Sequence, residues 1–197
     1  MLKHILIPTF FLSLIGVSPG FAQTLPATVS PLMLSVPAYP DGGQFPVQYS
    51  QAAPDTKPGG GISPAITWTN VPKGTQSFVL HFHDIDAVRN KTTADQLHWL
   101  IWSIPAATNN VPEGVPGGAQ LADGSFQISA SGPSYRGPGA PANGPLHHYI
   151  TELYALDISL GVQPGTDPFE TREKVMSAMQ GHILGKAVYS AQFRRPN

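Results

Sequence analysis

The chain has 197 residues and almost no net charge, with 11 Lys plus Arg against 12 Asp plus Glu and only 12% of residues charged. That balance excludes a basic face for nucleic acid and a polybasic membrane patch. Cysteine is absent, so no disulfide framework exists and a hydrophobic core must hold the fold.

The first residues read as a signal peptide, 1–22, rather than as part of the fold. Lys3 supplies a basic start, Ile5 to Val17 an apolar run broken by Pro8, Thr9, Ser13 and Gly16, and Gly20-Phe21-Ala22 a small-residue cleavage site before Gln23. The run is short and interrupted for a membrane span, and no later segment approaches one. The expectation is an exported protein, periplasmic or secreted, with residues 23–197 forming a single domain. The 20 Gly and 21 Pro are close to the level of disordered chains, but the apolar patterning points to long Gly/Pro-rich loops between strands.

Leu32, Leu34 and Val36 alternate with Met33 and Ser35 and predict a first strand closed by Pro37 and Pro40. Phe45 to Ser50 predicts a second, Pro54 to Gly61 a loop, and Ile62 to Thr69 a third strand with Pro64 near its start. Ser77 to His83 alternates cleanly, with Phe78, Leu80 and Phe82 on one face and Val79, His81 and His83 on the other. Leu97 to Ile104 is apolar on both faces, Leu97, Trp99 and Ile101 against Leu100, Trp102 and Ile104, as in a strand covered on both sides. Ala106 to Leu146 reads as loop with one short strand near Phe126 to Ser129, and a loop that long is usually functional. Tyr149 to Asp157 is again a strand. One helix is predicted after Asp167 and Pro168, where Asp167 and Glu170 fit a capping box; Val175, Met176, Met179 and Ile183 continue its spacing until Gly185. Ala187 to Phe193 is the last strand. The fold class is mostly β.

Polar chemistry concentrates in three stretches: His83-Asp84-Ile85-Asp86-Ala87, His98-Trp99, and Tyr135 to Pro141 leading into His147-His148-Tyr149. Each lies at a strand end beside a Gly/Pro loop, where ligand groups converge. Asp84 and Asp86 also suit a strand-to-loop turn. His98, inside an apolar strand, needs a partner or must stay neutral. His81 and His83 share a strand face with Asp84 adjacent. A zinc site would need further ligands that spacing does not supply, no His-Glu-x-x-His or cysteine exists, and no metal or cofactor is expected. Gly132-Pro133-Ser134-Tyr135-Arg136 misses the nucleophile elbow at its final glycine, and Gly59 to Gly61 lacks the Lys-Ser/Thr of a phosphate-binding loop, so an enzyme is not expected; a hydrolase or metalloenzyme using the Asp/His cluster is the lesser alternative.

The order of the pieces carries more than any one of them. Ser63-Pro64-x-x-x-Trp68, Ser77-Phe78 before Asp84-x-Asp86-Ala87, His98-Trp99 through Ile104-Pro105, Gly137-Pro138, His147-x-Tyr149 and Leu153-Tyr154-Ala155-Leu156-Asp157 occur in sequence. Ala178-Met179-x-Gly181-His182-Ile183-Leu184 follows in the closing region. Together they resemble the phosphatidylethanolamine-binding protein family, in its bacterial Raf-kinase-inhibitor-like branch. The resemblance implies a Greek-key β-sandwich with a small cavity for anions such as phosphate or a phospholipid headgroup. Its ligand-binding residues would be Asp84, Asp86, His98, Tyr135, Gly139, Pro141, His147 and Tyr149. The alternative function it suggests is inhibition of a protease or kinase partner through protein–protein interaction; the residues leave the oligomeric state open, a homodimer included. Ile85 and Val88 stand where that family has prolines, Ala140 replaces the first proline of a pair, Gly139 stands where that branch commonly has cysteine, and His148 stands where arginine is usual.

Overall fold

The structure is a computed structural model that describes residues 30–54 and 60–197; the expected signal peptide and residues 55–59 of the expected loop lie outside them. In chain order it forms β1 (Met33–Ser35), β2 (Gly43–Gln44), a 3-10 turn (Val47–Tyr49), β3 (Ile66–Thr69), β4 (Ser77–Asp84), β5 (Gln96–Pro105), β6 (Asn110–Val111), β7 (Phe126–Ile128), β8 (His147–Leu156), α1 (Pro168–Ala178) and β9 (Ile183–Phe193). The strands make a small sheet, β1-β3-β6, and a large one, β2-β9-β8-β4-β5-β7. The fold is mostly β with one α-helix among the described residues.

Apolar side chains explain why the two sheets stack. Leu34, Ile66 and Trp68 of the small sheet pack with Phe78, Leu80, Phe82, Trp99, Ile101, Tyr149 and Leu153 of the large one in a buried cluster. The opposite face of the large sheet has its own cover. Val79, Leu100, Trp102, Tyr154 and Leu156 meet Leu160, Val175 and Met179 from α1 and its flanking loop. A strand such as β5 is therefore apolar on both sides because both sides are packed.

Several predicted elements change in detail. The second strand is replaced by the 3-10 turn: Pro46 fixes the entry, Ser50 N–H bonds the Val47 carbonyl, and Phe45 and Tyr49 turn inward. The third strand begins only at Ile66, after Pro64. The helix ends at Ala178, because Gly181 takes a left-handed φ of +83° and Ile183 and Gly185 belong to β9. Its start is as expected, with the Asp167 carboxylate accepting from the Phe169 and Glu170 N–H groups at 2.7 and 3.1 Å.

The predicted faces of β5 are also corrected. Pairing with β4 shifts register between Phe82 and His83, so Trp99 sits opposite Phe82 and Leu97 opposite His83, leaving His98 as the extra residue of a β-bulge. A second shift lies between Phe78 and Leu80, near Ser103, whose φ is +57°. Leu97 consequently packs with Leu100 and Trp102 on the helix side, while Trp99, Ile101 and Ile104 face the small sheet.

Candidate functional site

The β4–β8 register brings the first and third polar stretches together. Asp84 is paired with Tyr149, two positions from His147 on the same face of β8. Strict alternation along β5 would place His98 with Leu100 on the helix side, but the bulge turns its ring toward Phe82 and Tyr149, with ring centroids 5.5 and 5.1 Å away. Asp84, His98, His147 and Tyr149 thus converge at one end of the sandwich.

Their bonds define what each can do. Asp84 is almost fully buried; one carboxylate oxygen holds His147 Nδ1 at 2.8 Å and the other accepts the Asp86 N–H at 3.0 Å. The Asp84–His147 bond keeps a proton on Nδ1 and leaves Nε2 for a ligand. His98 Nδ1–H donates to the Arg136 carbonyl at 2.9 Å, which reserves its second nitrogen in the same way. Burial pushes His98 down to about 4, against the upward pull of that carbonyl and of the Asp84 charge. At neutral pH its remaining nitrogen is therefore an acceptor, not the donor that an anion site suggests at first sight.

The Gly/Pro loop closes over these side chains. Gly139 and Ala140 both point their N–H groups at the Tyr149 hydroxyl, at 3.2 and 3.1 Å. Burial first, then the Asp84 charge, raise that hydroxyl well above the usual phenol range, so it stays protonated beside the carboxylate. Gly137 is seated where no side chain fits: a Cβ would lie 2.5 Å from the Tyr49 carbonyl oxygen and 2.7 Å from that of Gly60. Gln51 holds the Gly137 carbonyl at 2.7 Å.

The other predicted residues fall around this group. Asp86 is exposed and clamps the start of β8, accepting from the His148 N–H at 2.6 Å and facing His148 Nδ1 at 2.9 Å; these bonds lower its carboxyl. Pro141 is exposed in a turn closed by the Gly144 N–H. Tyr135 points into the interior, stacked on Phe82 and edge-on to Trp99, with its hydroxyl donated to the Tyr49 carbonyl at 2.8 Å. It belongs to the packing beneath the group rather than to its surface.

Two cations near the loop are not among the predicted site residues. Arg136 is close enough to Arg195 for their mutual repulsion to add to burial in lowering its pKa. The Arg195 N–H is anchored on the Ala140 carbonyl at 3.0 Å. Arg136 stood inside the Gly/Pro stretch and was open to notice; Arg195, 55 positions beyond Ala140 in the chain, gave no signal. An apolar cleft of about 230 Å³ between Ile101, Val111 and Leu121 lies apart from all these groups.

Comparison with known proteins identifies the family and the fold. The phosphatidylethanolamine-binding protein family model matches residues 35–194. A UPF0098 protein of Methanothermobacter thermautotrophicus is 37% identical over 164 residues, covering 82% of this chain and 98% of its own. A relative named "Putative lipoprotein LppC" from Mycobacterium tuberculosis is 29% identical, covering 81% of this chain and 73% of its own. Among solved structures, a phosphatidylethanolamine-binding protein homologue from Chlamydia trachomatis superposes with a TM-score of 0.68 at 26% identity, over 84% of this chain and 99% of that one.

Proposed function

The chain belongs to the phosphatidylethanolamine-binding protein family, and on that premise we propose that it is an exported binding protein whose Asp84–His98–His147–Tyr149 group takes an anion, phosphate or a phospholipid headgroup. The observation that carries the reading is the Asp84–His147 bond, 2.8 Å across strands whose residues stand 63 apart in sequence. It orients one imidazole outward while Asp84 itself is shielded by Tyr149 and by the Asp86 N–H. Protonated His147 donates from Nε2 to an anionic oxygen. Neutral His98 accepts from a ligand O–H, so a hydrogen phosphate or a monoester still carrying one proton suits the pair better than a fully ionised group. Arg136 and Arg195 add positive potential beside it. Charge-assisted bonds of this kind contribute roughly 1.5–3 kcal/mol each. After association costs, two or three give a Kd on the order of 0.1–1 mM.

Export rests on the amino-terminal pattern from Lys3 to Ala22, and the lipoprotein name of the mycobacterial relative agrees with it. No helix among the described residues is long and apolar enough to cross a membrane. Calorimetric titration with phosphate and with phosphoethanolamine at pH 5.5 and 7.5 tests the binding role. Both ligands bind more tightly at pH 5.5, and a His98→Ala/His147→Ala double variant loses the heat. Undiminished binding by that variant would place the anion elsewhere.

A further inference from the structure

The helix-side face of the large sheet holds a second cluster that the anion site does not use. Alternation along β4 puts His81 and His83 there, and the β4–β8 register sets Glu152 directly opposite His81. The two imidazoles stack 4.1 Å apart. Glu152 Oε2 lies 3.3 Å from His81 Nδ1 and 3.6 Å from His83 Nε2. His81 is about 95% buried, and the Nε2 atoms of both rings are buried without a hydrogen-bond partner. Buried polar atoms are nearly always paired, so the orphaned His83 Nε2 facing the Glu152 carboxylate calls for an explanation.

We propose that His81, His83 and Glu152 form a binding site for a divalent transition metal of the zinc class. The three ligand atoms lie within 4.8 Å of one another. For metal–ligand bonds of about 2.1 Å, separations of 3.3 and 3.6 Å subtend roughly 105° and 120°, which bracket tetrahedral geometry. The third edge is at most 4.8 Å and must close to about 3.4 Å in a tetrahedral site.

The surroundings fit a metal centre. His83 Nδ1 is bonded to Asp95 Oδ2 at 2.5 Å, which fixes its proton there and presents the bare Nε2 to Glu152. Asp95 is in turn held by Arg172 at 2.5 Å, giving the carboxylate–imidazole–metal chain that orients metal-bound histidines. His81 contributes Nδ1, which faces Glu152 Oε2, with its ring proton on Nε2. A hollow of about 280 Å³ bordered by His81, Asp95, Glu152, Tyr154, Arg172 and Met176 gives an entry path and room for a water as fourth ligand.

The Tyr154 hydroxyl donates to Glu152 Oε2 at 2.8 Å, and Lys186 is the charged competitor. Its ammonium sits 2.5 Å from Glu152 Oε1, and with Arg172 it balances the two carboxylates, so a metal must bind against that charge. This makes the site testable in both directions. The probe is Co²⁺ followed by Zn²⁺ competition, on the chain without an affinity tag.

One equivalent of Co²⁺ is expected to give the intense visible bands of a tetrahedral site, displaced by Zn²⁺. Glu152→Gln weakens binding at least ~10-fold, and Lys186→Met tightens it. Wild-type protein gives a readout independent of variant folding, because Zn²⁺ shifts the imidazole nitrogen resonances of His81 and His83. The proposal is overturned if no stoichiometric Co²⁺ spectrum appears at 100-fold excess of metal (about millimolar). It is also overturned if the shifts fall on His147, His148 or His182 instead.

Discussion

Acidification from pH 7.5 to 5 is predicted to destabilise this protein through His98. In the unfolded chain that imidazole takes a proton near 6.5, whereas in the folded chain burial holds it down to about 4. A depressed folded-state pKa means the unfolded state binds more protons across the interval. The stability is fully present above about 6.5 and is lost as pH falls through about 4. Complete protonation costs roughly 3 kcal/mol, and about 2 kcal/mol is already lost at pH 5. Carboxylates titrate in the same range, so the measurement is a difference. Urea unfolding is followed at constant ionic strength, in phosphate-free buffer, for wild type and His98→Asn, whose amide still donates to the Arg136 carbonyl. The variant is less stable at pH 7.5, and that gap narrows by about 2 kcal/mol by pH 5. Parallel curves would show that His98 titrates alike in both states and would refute the argument.

Three further substitutions probe the loop over the proposed anion site. Tyr149→Phe removes the hydroxyl that receives two backbone N–H groups and leaves both unpaired; a loss of about 2–4 kcal/mol in denaturant unfolding is expected. Gly137→Ala and Gly139→Ala separate backbone from side-chain crowding. The first drives a Cβ against two carbonyl oxygens and lowers stability by about 3 kcal/mol, while the second meets only the Gln51 amide, which can swing aside, and costs about 1 kcal/mol. Comparable thermal unfolding temperatures for the two variants would contradict this.

Local chemistry made much of this molecule readable along the chain. Alternation over Ser77–His83 determined which side chains of β4 face the small sheet, because a strand's period of two admits no other arrangement once one face is apolar. Asp167, Pro168 and Glu170 determined where the helix starts, since capping is a contact among neighbours. The ordered motifs from Ser63 to Asp157 were enough to indicate the family. Asp84, His98 and His147 were identifiable as candidates because each is a polar residue at an apolar strand's end or interior.

What the tertiary structure decided depends on non-local pairing. The bulge opposite Phe82–His83 turns His98 toward Tyr149 and the proposed anion site, and no pattern within β5 announces it, because the extra residue exists only relative to β4. The Tyr149 hydroxyl takes up the loop N–H groups that the sequence left free for a ligand, and Tyr135 is spent on the Tyr49 carbonyl. Sequence adjacency suggested Asp84 as companion to His81 and His83, yet consecutive residues on a strand point to opposite faces. The carboxylate that joins those imidazoles is Glu152, brought from 71 residues beyond His81 by strand register alone.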